Sequence, residues 1–435
     1  MVDIALIIPD APFLLEPRGF PHLGVLYISA ALKEVYYNPK VYDLTGGVKL
    51  PKINADIVGI TATSPLFKSA ISIKNEIKEY NPEACFIIGG PHATVSPETC
   101  RDAGFNFIIA GEGECEILNI VDYYNKYLSM PSEYHGLIVW PKLIENIDTL
   151  SFPDRDAIDM DSYHYYLLGE KCTNIQAQRG CPYGCVYCCG RDTKTYRIAR
   201  QRSVFNVECE IALLKSKYGI KSLMFFDDEF NLNREHTLKM CAMLKRLDVT
   251  WRAMIRSNLF DEELAKTMAD SGCKELGCGV ETGSLTIKKN IQKQTTPEQD
   301  LEARELCRKY DIKFKCFIVV GLPGETLETF NETRKWIKKA QPDNLDYTVL
   351  TPYPGSVIWN HPEQFDIKFD KEEIIRNSFD GTYYKGSSGG PARSFVSTSA
   401  LSEADIMRLR QELEDEFPRM ASSPWAGTEI KEGSA

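Results

Sequence analysis

Up to about residue 125, short apolar runs alternate with stretches whose apolar positions recur every three or four residues. That is the pattern of buried strands joined by amphipathic crossover helices. It predicts strands at 3–8, 40–44, 56–61, 85–89 and 105–110, and helices over about 22–36, 66–79 and 116–127. The alternation lapses over about 128–172, where Leu150-Ser-Phe-Pro-Asp-Arg155 breaks the chain, and then resumes. Further strands are predicted at 174–178, 222–226, 249–255, 276–280, 314–320 and 344–350, with a last helix over about 403–416.

The first set predicts an open, doubly wound parallel α/β sheet, and the second six βα units of an incomplete barrel. In both, ligands are expected beyond the carboxyl ends of the strands. The division expected is 1–145 for the sheet, 146–172 for a linker, 173–355 for the barrel, and 356–435 for a small C-terminal subdomain and tail. Two glycine-rich and aromatic stretches, 379–386 and 387–394, are expected against the barrel mouth, and residues 421–435 have the composition of a disordered tail.

The 435-residue length exceeds what one core usually supports, in keeping with this division. Apolar residues make up 43% and charged residues 26%, and no apolar run is long enough to span a membrane. The first ten residues read as a strand rather than a signal peptide, so a cytoplasmic location is expected. A net charge of −10 argues against a broad nucleic-acid footprint. The fourteen cysteines are expected to be reduced thiols. Cys85, Cys241, Cys307 and Cys316 fall in apolar patterns and read as small hydrophobes.

One cysteine group differs. Arg179-Gly-Cys-Pro-Tyr-Gly-Cys-Val-Tyr-Cys-Cys189 places Cys181, Cys185 and Cys188 at x3 and x2 spacing. Three such thiolates can hold three irons of a cubane and leave the fourth open. Zinc competes for close thiolates, but its structural sites usually need a second Cys-x-x-Cys pair, which the chain lacks. Cys189 reads as a neighbouring thiol. The turns after the first strands are rich in small residues: Thr61-Ala-Thr-Ser-Pro65, Gly89-Gly-Pro-His-Ala-Thr94 and Gly111-Glu-Gly-Glu114.

The cysteine spacing, with Tyr187 before the last cysteine, resembles the defining loop of the radical SAM superfamily. The turns just quoted, together with Pro21-His-Leu-Gly-Val-Leu-Tyr-Ile-Ser-Ala-Ala31, resemble the cobalamin-binding domain of one large branch of it. Leu150–Arg155, Arg200-Gln-Arg-Ser203 and Leu350-Thr-Pro-Tyr-Pro-Gly-Ser356 resemble phrases of the same branch. The resemblance implies a [4Fe-4S] cluster on the three cysteines, S-adenosylmethionine on its open iron, and cobalamin on a Rossmann-like domain. It assigns S-adenosylmethionine contacts to Tyr187, to Asp227, Asp228 and Glu229, to Glu281, and to Gly321 and Pro323 of Val320-Gly-Leu-Pro-Gly-Glu-Thr326. Around cobalamin it assigns Thr63, Ser64, Gly89, Gly90, His92, Gly111 and Glu112. No Asp-x-His-x-x-Gly occurs, so no lower axial ligand is predicted; His22 and His92 each read as hydrogen-bonded turn residues ahead of cobalt ligands, although His92 follows a strand and could approach a bound corrin.

The activity implied is reductive cleavage of S-adenosylmethionine by an electron from a donor such as flavodoxin or ferredoxin. The product radical would act on a small-molecule or peptide substrate. Methyl transfer to an unactivated carbon is the expected outcome. Cyclisation, oxidation or rearrangement within the same architecture is the alternative, and a non-catalytic cobalamin or iron–sulfur sensor is the rival of another class.

Overall fold

The structure is a computed structural model that describes residues 2–127, 136–193, 195–384, 386 and 393–418. The tail at 421–435 and most of 387–394 therefore lie outside the described residues, as does Lys385.

Strands β1 (Ile4–Ile8), β2 (Lys40–Asp43), β3 (Ile57–Thr61), β4 (Cys85–Gly89), β5 (Phe107–Ile109) and β6 (Leu137–Val139) form one sheet in the order β2-β1-β3-β4-β5-β6. All of its pairs are parallel. The unbroken apolar runs follow from cover on both faces. Ala5, Ile7, Val58, Ile60, Phe86 and Ile88 enter one core, while Ile4, Leu6, Ile8, Ile57 and Ile87 enter the other. Strand β6 was not anticipated: three residues at the sheet edge, none of them buried, carry no readable period.

The second sheet contains β7 (Tyr166–Leu167), β8 (Glu170–Ile175), β11 (Ser222–Phe225), β12 (Thr250–Ile255), β13 (Cys273–Glu281), β14 (Lys313–Val320) and β15 (Asn344–Val349), in the order β15-β14-β13-β12-β11-β8-β7. Six of these are parallel, as expected for an incomplete barrel, and β7 adds an antiparallel edge. A two-strand ribbon, β9 (Gln178–Arg179) against β10 (Arg200–Gln201), stands apart. Strand β8 begins and ends earlier than the sequence suggests. The N–H groups of Ala177 and Gln178 leave the ladder and donate to Asp227 instead, at 2.7 and 3.0 Å.

The described residues of the C-terminal stretch pack against both sheets. Trp359, Ile374, Phe379, Tyr383 and Phe395 pack into a core of the first sheet, whereas Ile406, Leu409 and Leu413 of the helix Glu403–Glu416 join the barrel core.

Candidate functional site

The cysteine loop springs from the ribbon β9–β10, so its two ends are held side by side. Gly180 has φ +92°, and a Cβ there would lie 2.6 Å from the carbonyl oxygens of Tyr196 and Ile198; only glycine fits this approach. Within the loop, Cys181 N–H donates to Tyr196 O at 2.9 Å, Cys188 N–H to Cys185 O at 3.1 Å, and Val186 N–H to Ile291 O at 3.1 Å. Val186 is fully buried in the barrel core and nails the loop to the mouth.

The three thiols are all partly exposed. Burial pushes Cys181 up to about 12, with Glu229, Asp228 and Cys188 adding repulsion. Cys185 is also raised by burial, against the pull of Lys293 and Arg256. A hydrogen bond with the Cys189 thiol, followed by burial, raises Cys188. As oriented, no three His, Cys, Asp or Glu side chains among the described residues are close enough to share a metal ion. What fits a cluster is the donor set: three thiols of one backbone-braced loop, each raised as a free thiol by burial and acidic neighbours, which a cationic iron centre would relieve.

The carboxyl ends of the barrel strands surround this loop. After β11, Asp227 is buried and caps the Ala177 and Gln178 amides; burial pushes it up to about 7. Asp228 accepts from Gly180 N–H at 3.1 Å and from the Tyr196 hydroxyl. Both carboxylates brace the backbone around the loop. Burial pushes Glu229 up to about 7 against the pull of Lys293 and Arg256. At the end of β13, Glu281 adopts φ +65°, pairs with Lys293 at 3.0 Å and accepts from the Tyr187 hydroxyl. Burial alone would raise Glu281, but Lys293 brings it below the usual carboxylate range. Tyr187 thus touches Glu281 and packs against the barrel core.

Arg256 and Lys293 were not singled out from the sequence. Arg256 directly follows β12, whose terminus carries no glycine or acidic phrase, so strand-end position was the available signal. Its guanidinium lies 3.6 Å from the Tyr183 ring centroid, and its Nε is buried with no hydrogen-bond partner. Lys293 sits between two left-handed residues, Gln292 and Gln294, in a polar loop without any signature. Two acids and two bases therefore converge beside the cysteines, a set complementary to an α-amino-acid zwitterion.

After β14, Gly321 has φ +88° and Gly324 φ +76°. The Gly321 N–H donates to Glu325 at 2.6 Å, and Asn290 donates to Pro323 O at 3.1 Å. Gly321 and Pro323 thus form a braced turn beside the Glu281 strand.

At the edge of the first sheet, Thr63, Gly89, Gly90 and Gly111 are partly exposed and Ser64 is buried. A Cβ on Gly89 would meet nothing within 4 Å, so space lies open above the end of β4. His92 is elsewhere. Its ring is fully buried, bonded to Ser64 and Thr99 at 3.0 Å each, and packed on Phe67 and Phe379 at 4.1 and 4.8 Å. Burial lowers it to about 3. Both nitrogens are engaged, which corrects the expectation that His92 could approach a corrin. Glu112 is likewise occupied, by Arg179 and Arg200.

The two edges face one another. Beyond the Glu112 pairs, a Cβ on Gly355 would lie 2.7 Å from the Val95 side chain, and Gly355 O accepts from Asp192 N–H beside the cysteine loop at 3.1 Å.

A profile of the Radical SAM superfamily matches residues 175–337, and one of the B12 binding domain matches residues 19–120. An uncharacterised methyltransferase of Pyrococcus horikoshii is 31% identical over 361 residues, covering 78% of each chain. The anaerobic magnesium-protoporphyrin IX monomethyl ester cyclase of Rubrivivax gelatinosus is 27% identical over 82% of this chain and 69% of its own. Among solved structures, the radical S-adenosylmethionine methyltransferase TsrM of Kitasatospora setae, with cobalamin and a [4Fe-4S] cluster bound, has the same fold. Its TM-score is 0.67 at 18% identity, with 85% of this chain and 77% of that one covered. The chain belongs to the radical SAM superfamily, in the branch that carries a B12 binding domain. A [4Fe-4S] cluster, S-adenosylmethionine and cobalamin are the cofactors of these two domains. No helix among the described residues is long and apolar enough to cross a membrane.

Proposed function

We propose that the protein is a cobalamin-dependent radical SAM methyltransferase acting on an unactivated carbon of a small molecule. The observation that carries this reading is the direct apposition of the two cofactor edges. The glycine-rich end of the first sheet meets the braced cysteine loop through Glu112, Arg179 and Arg200, with Gly355 between Val95 and Asp192. The cluster would supply one electron to the sulfonium nucleotide and cobalamin would carry the methyl group; the protein's part is to hold both and the substrate in register.

In this reading Cys181, Cys185 and Cys188 ligate the cluster. Glu229 and Glu281 receive the methionyl ammonium, and Arg256, whose Nε lacks a partner, receives the carboxylate. Tyr187 and Lys293 fix Glu281, and the Gly321–Pro323 turn lies along the nucleoside. Thr63, Ser64, Gly89, Gly90 and Gly111 form the bed for the corrin. A domain boundary near residue 145, ahead of the linker that enters β8, belongs to the same proposal.

A second reading has its own support. The Rubrivivax protein, similar over most of the chain, is a cyclase. The two separate by experiment. With reconstituted enzyme, a low-potential reductant and a small-molecule extract, methyl-labelled S-adenosylmethionine should pass its label into an extractable product while 5'-deoxyadenosine accumulates. Deoxyadenosine formation with a converted but unlabelled product would instead establish the cyclase-type reading. Absence of deoxyadenosine from protein holding a full cluster would reject both and leave the sensor.

A further inference from the structure

One carboxylate joins the turn after β5 to both strands that flank the cysteine loop. Glu112 Oε1 accepts from Arg179 at 2.9 Å and Oε2 from Arg200 at 2.8 Å. Arg179 and Arg200 are cross-strand partners in the ribbon β9–β10. Arg179 also pairs with Glu114 at 2.8 Å, and its guanidinium stands 4.9 Å above the Tyr27 ring. The chain returning from β6 is locked into the same knot. Ile144 N–H donates to Glu112 at 3.0 Å, and Arg200 donates to Ile144 O at 2.6 Å.

The three central side chains are 14, 15 and 9% exposed, for Glu112, Arg179 and Arg200. A buried ion pair is a poor source of net stability, because desolvation offsets the attraction. What planar guanidinium–carboxylate pairing supplies is geometry. Arg179 stands two residues before Cys181, so a shift of the ribbon is a shift of the thiols. Glu112 follows Gly111 at the end of the strand turn that, in the functional reading above, lies beside the corrin. Both of its carboxylate oxygens already meet arginines.

We propose that Glu112 is a positioning residue that fixes the cysteine loop in register with the cobalamin-bearing sheet edge; the corrin's presence there rests on the proposed function. The three phrases Gly111-Glu-Gly-Glu114, Arg179-Gly-Cys181 and Arg200-Gln-Arg-Ser203 then act together as one joint between the two cofactor sites, although they lie far apart in the chain.

The test uses the full chain reconstituted with iron, sulfide and cobalamin. Glu112→Gln should keep the iron and corrinoid content of the parent. Amide exchange at 178–181 and 198–201 should quicken about tenfold as the ribbon opens locally. The magnetic interaction between cob(II)alamin and the reduced cluster, read by electron spin resonance, should weaken or broaden. Glu112→Asp, which keeps the charge and still reaches one arginine, should recover part of both signals. An unchanged magnetic interaction in Glu112→Gln would overturn the proposal, as would loss of corrinoid from that variant, which would make Glu112 a corrin contact instead. Should Glu112→Gln fail to fold, Arg200→Gln, which leaves the Arg179 pairs intact, gives the same two readouts. If the parent protein retains no corrinoid, the functional reading fails, and the exchange comparison alone decides whether Glu112 holds the loop.

Discussion

Glu325 is fully buried behind the Gly321–Pro323 turn, and its carboxylate accepts the Gly321 and Leu322 amides. Burial outweighs those bonds and pushes it up to about 7. The unfolded chain ionises this group near the ordinary glutamate value, whereas the folded chain keeps it protonated until about pH 7. Between those limits the folded state binds more protons, so stability must fall as pH rises, by up to about 3 kcal/mol for this group. Glu325→Gln keeps an acceptor but removes the titration. Its unfolding free energy should therefore change less between pH 5 and 7.5 than that of the parent, as followed by urea denaturation of the cluster-free protein. An identical slope in both proteins would show that Glu325 is ionised in the fold. The glycines and acids around this turn were legible because they form contiguous phrases. Arg256, Lys293 and Tyr196 were not, because each works through a neighbour that only the tertiary fold supplies.

At the scale of elements, the ribbon β9–β10 decides whether the cysteine loop closes. Gly180 sits where the two strands converge, at φ +92°, and an added methyl would press on the carbonyls of Tyr196 and Ile198. Gly180→Ala has to take up a strained conformation or spread the ribbon, at a cost of roughly 1–3 kcal/mol confined to the loop. The expected outcome is a protein whose overall melting is little changed but whose iron content after anaerobic reconstitution falls by more than half. Full iron loading in this variant would mean that the ribbon is not needed to gather the thiols. The ribbon itself was invisible in the sequence, since its two strands of two residues carry no period and lie twenty residues apart. The longer elements were readable for the opposite reason. The helices Glu116–Tyr127 and Glu403–Glu416 end where the periodic pattern ends, because each buries one face on a single neighbouring layer, and β4 reads as an unbroken apolar run because both of its faces are covered.

Across the whole molecule, the C-terminal segment ties the two sheets together, which the local pattern could not show because its apolar residues serve two distant cores. Phe379 is the clearest case. It is 1% exposed, meets the His92 ring edge-on at 4.8 Å, and its carbonyl accepts from Lys68 N–H at 2.9 Å. Lys68 in turn pairs with Asp380 at 3.1 Å. His92 precedes Val95, which abuts Gly355 beside the cysteine loop, so this packing lies directly behind the interface between the two cofactor edges. Phe379→Ala removes a buried ring from the first core and should cost about 3–5 kcal/mol. Because the damage falls on the core beneath the first sheet's turns, it should lower corrinoid retention more than iron content, although residue 379 lies far from that sheet in the chain. Measuring both contents on the same preparation, with a thermal melt of the full chain, separates the outcomes. Equal loss of both would mean that the barrel depends on the first core, and no loss of either would show that the segment is only a cover.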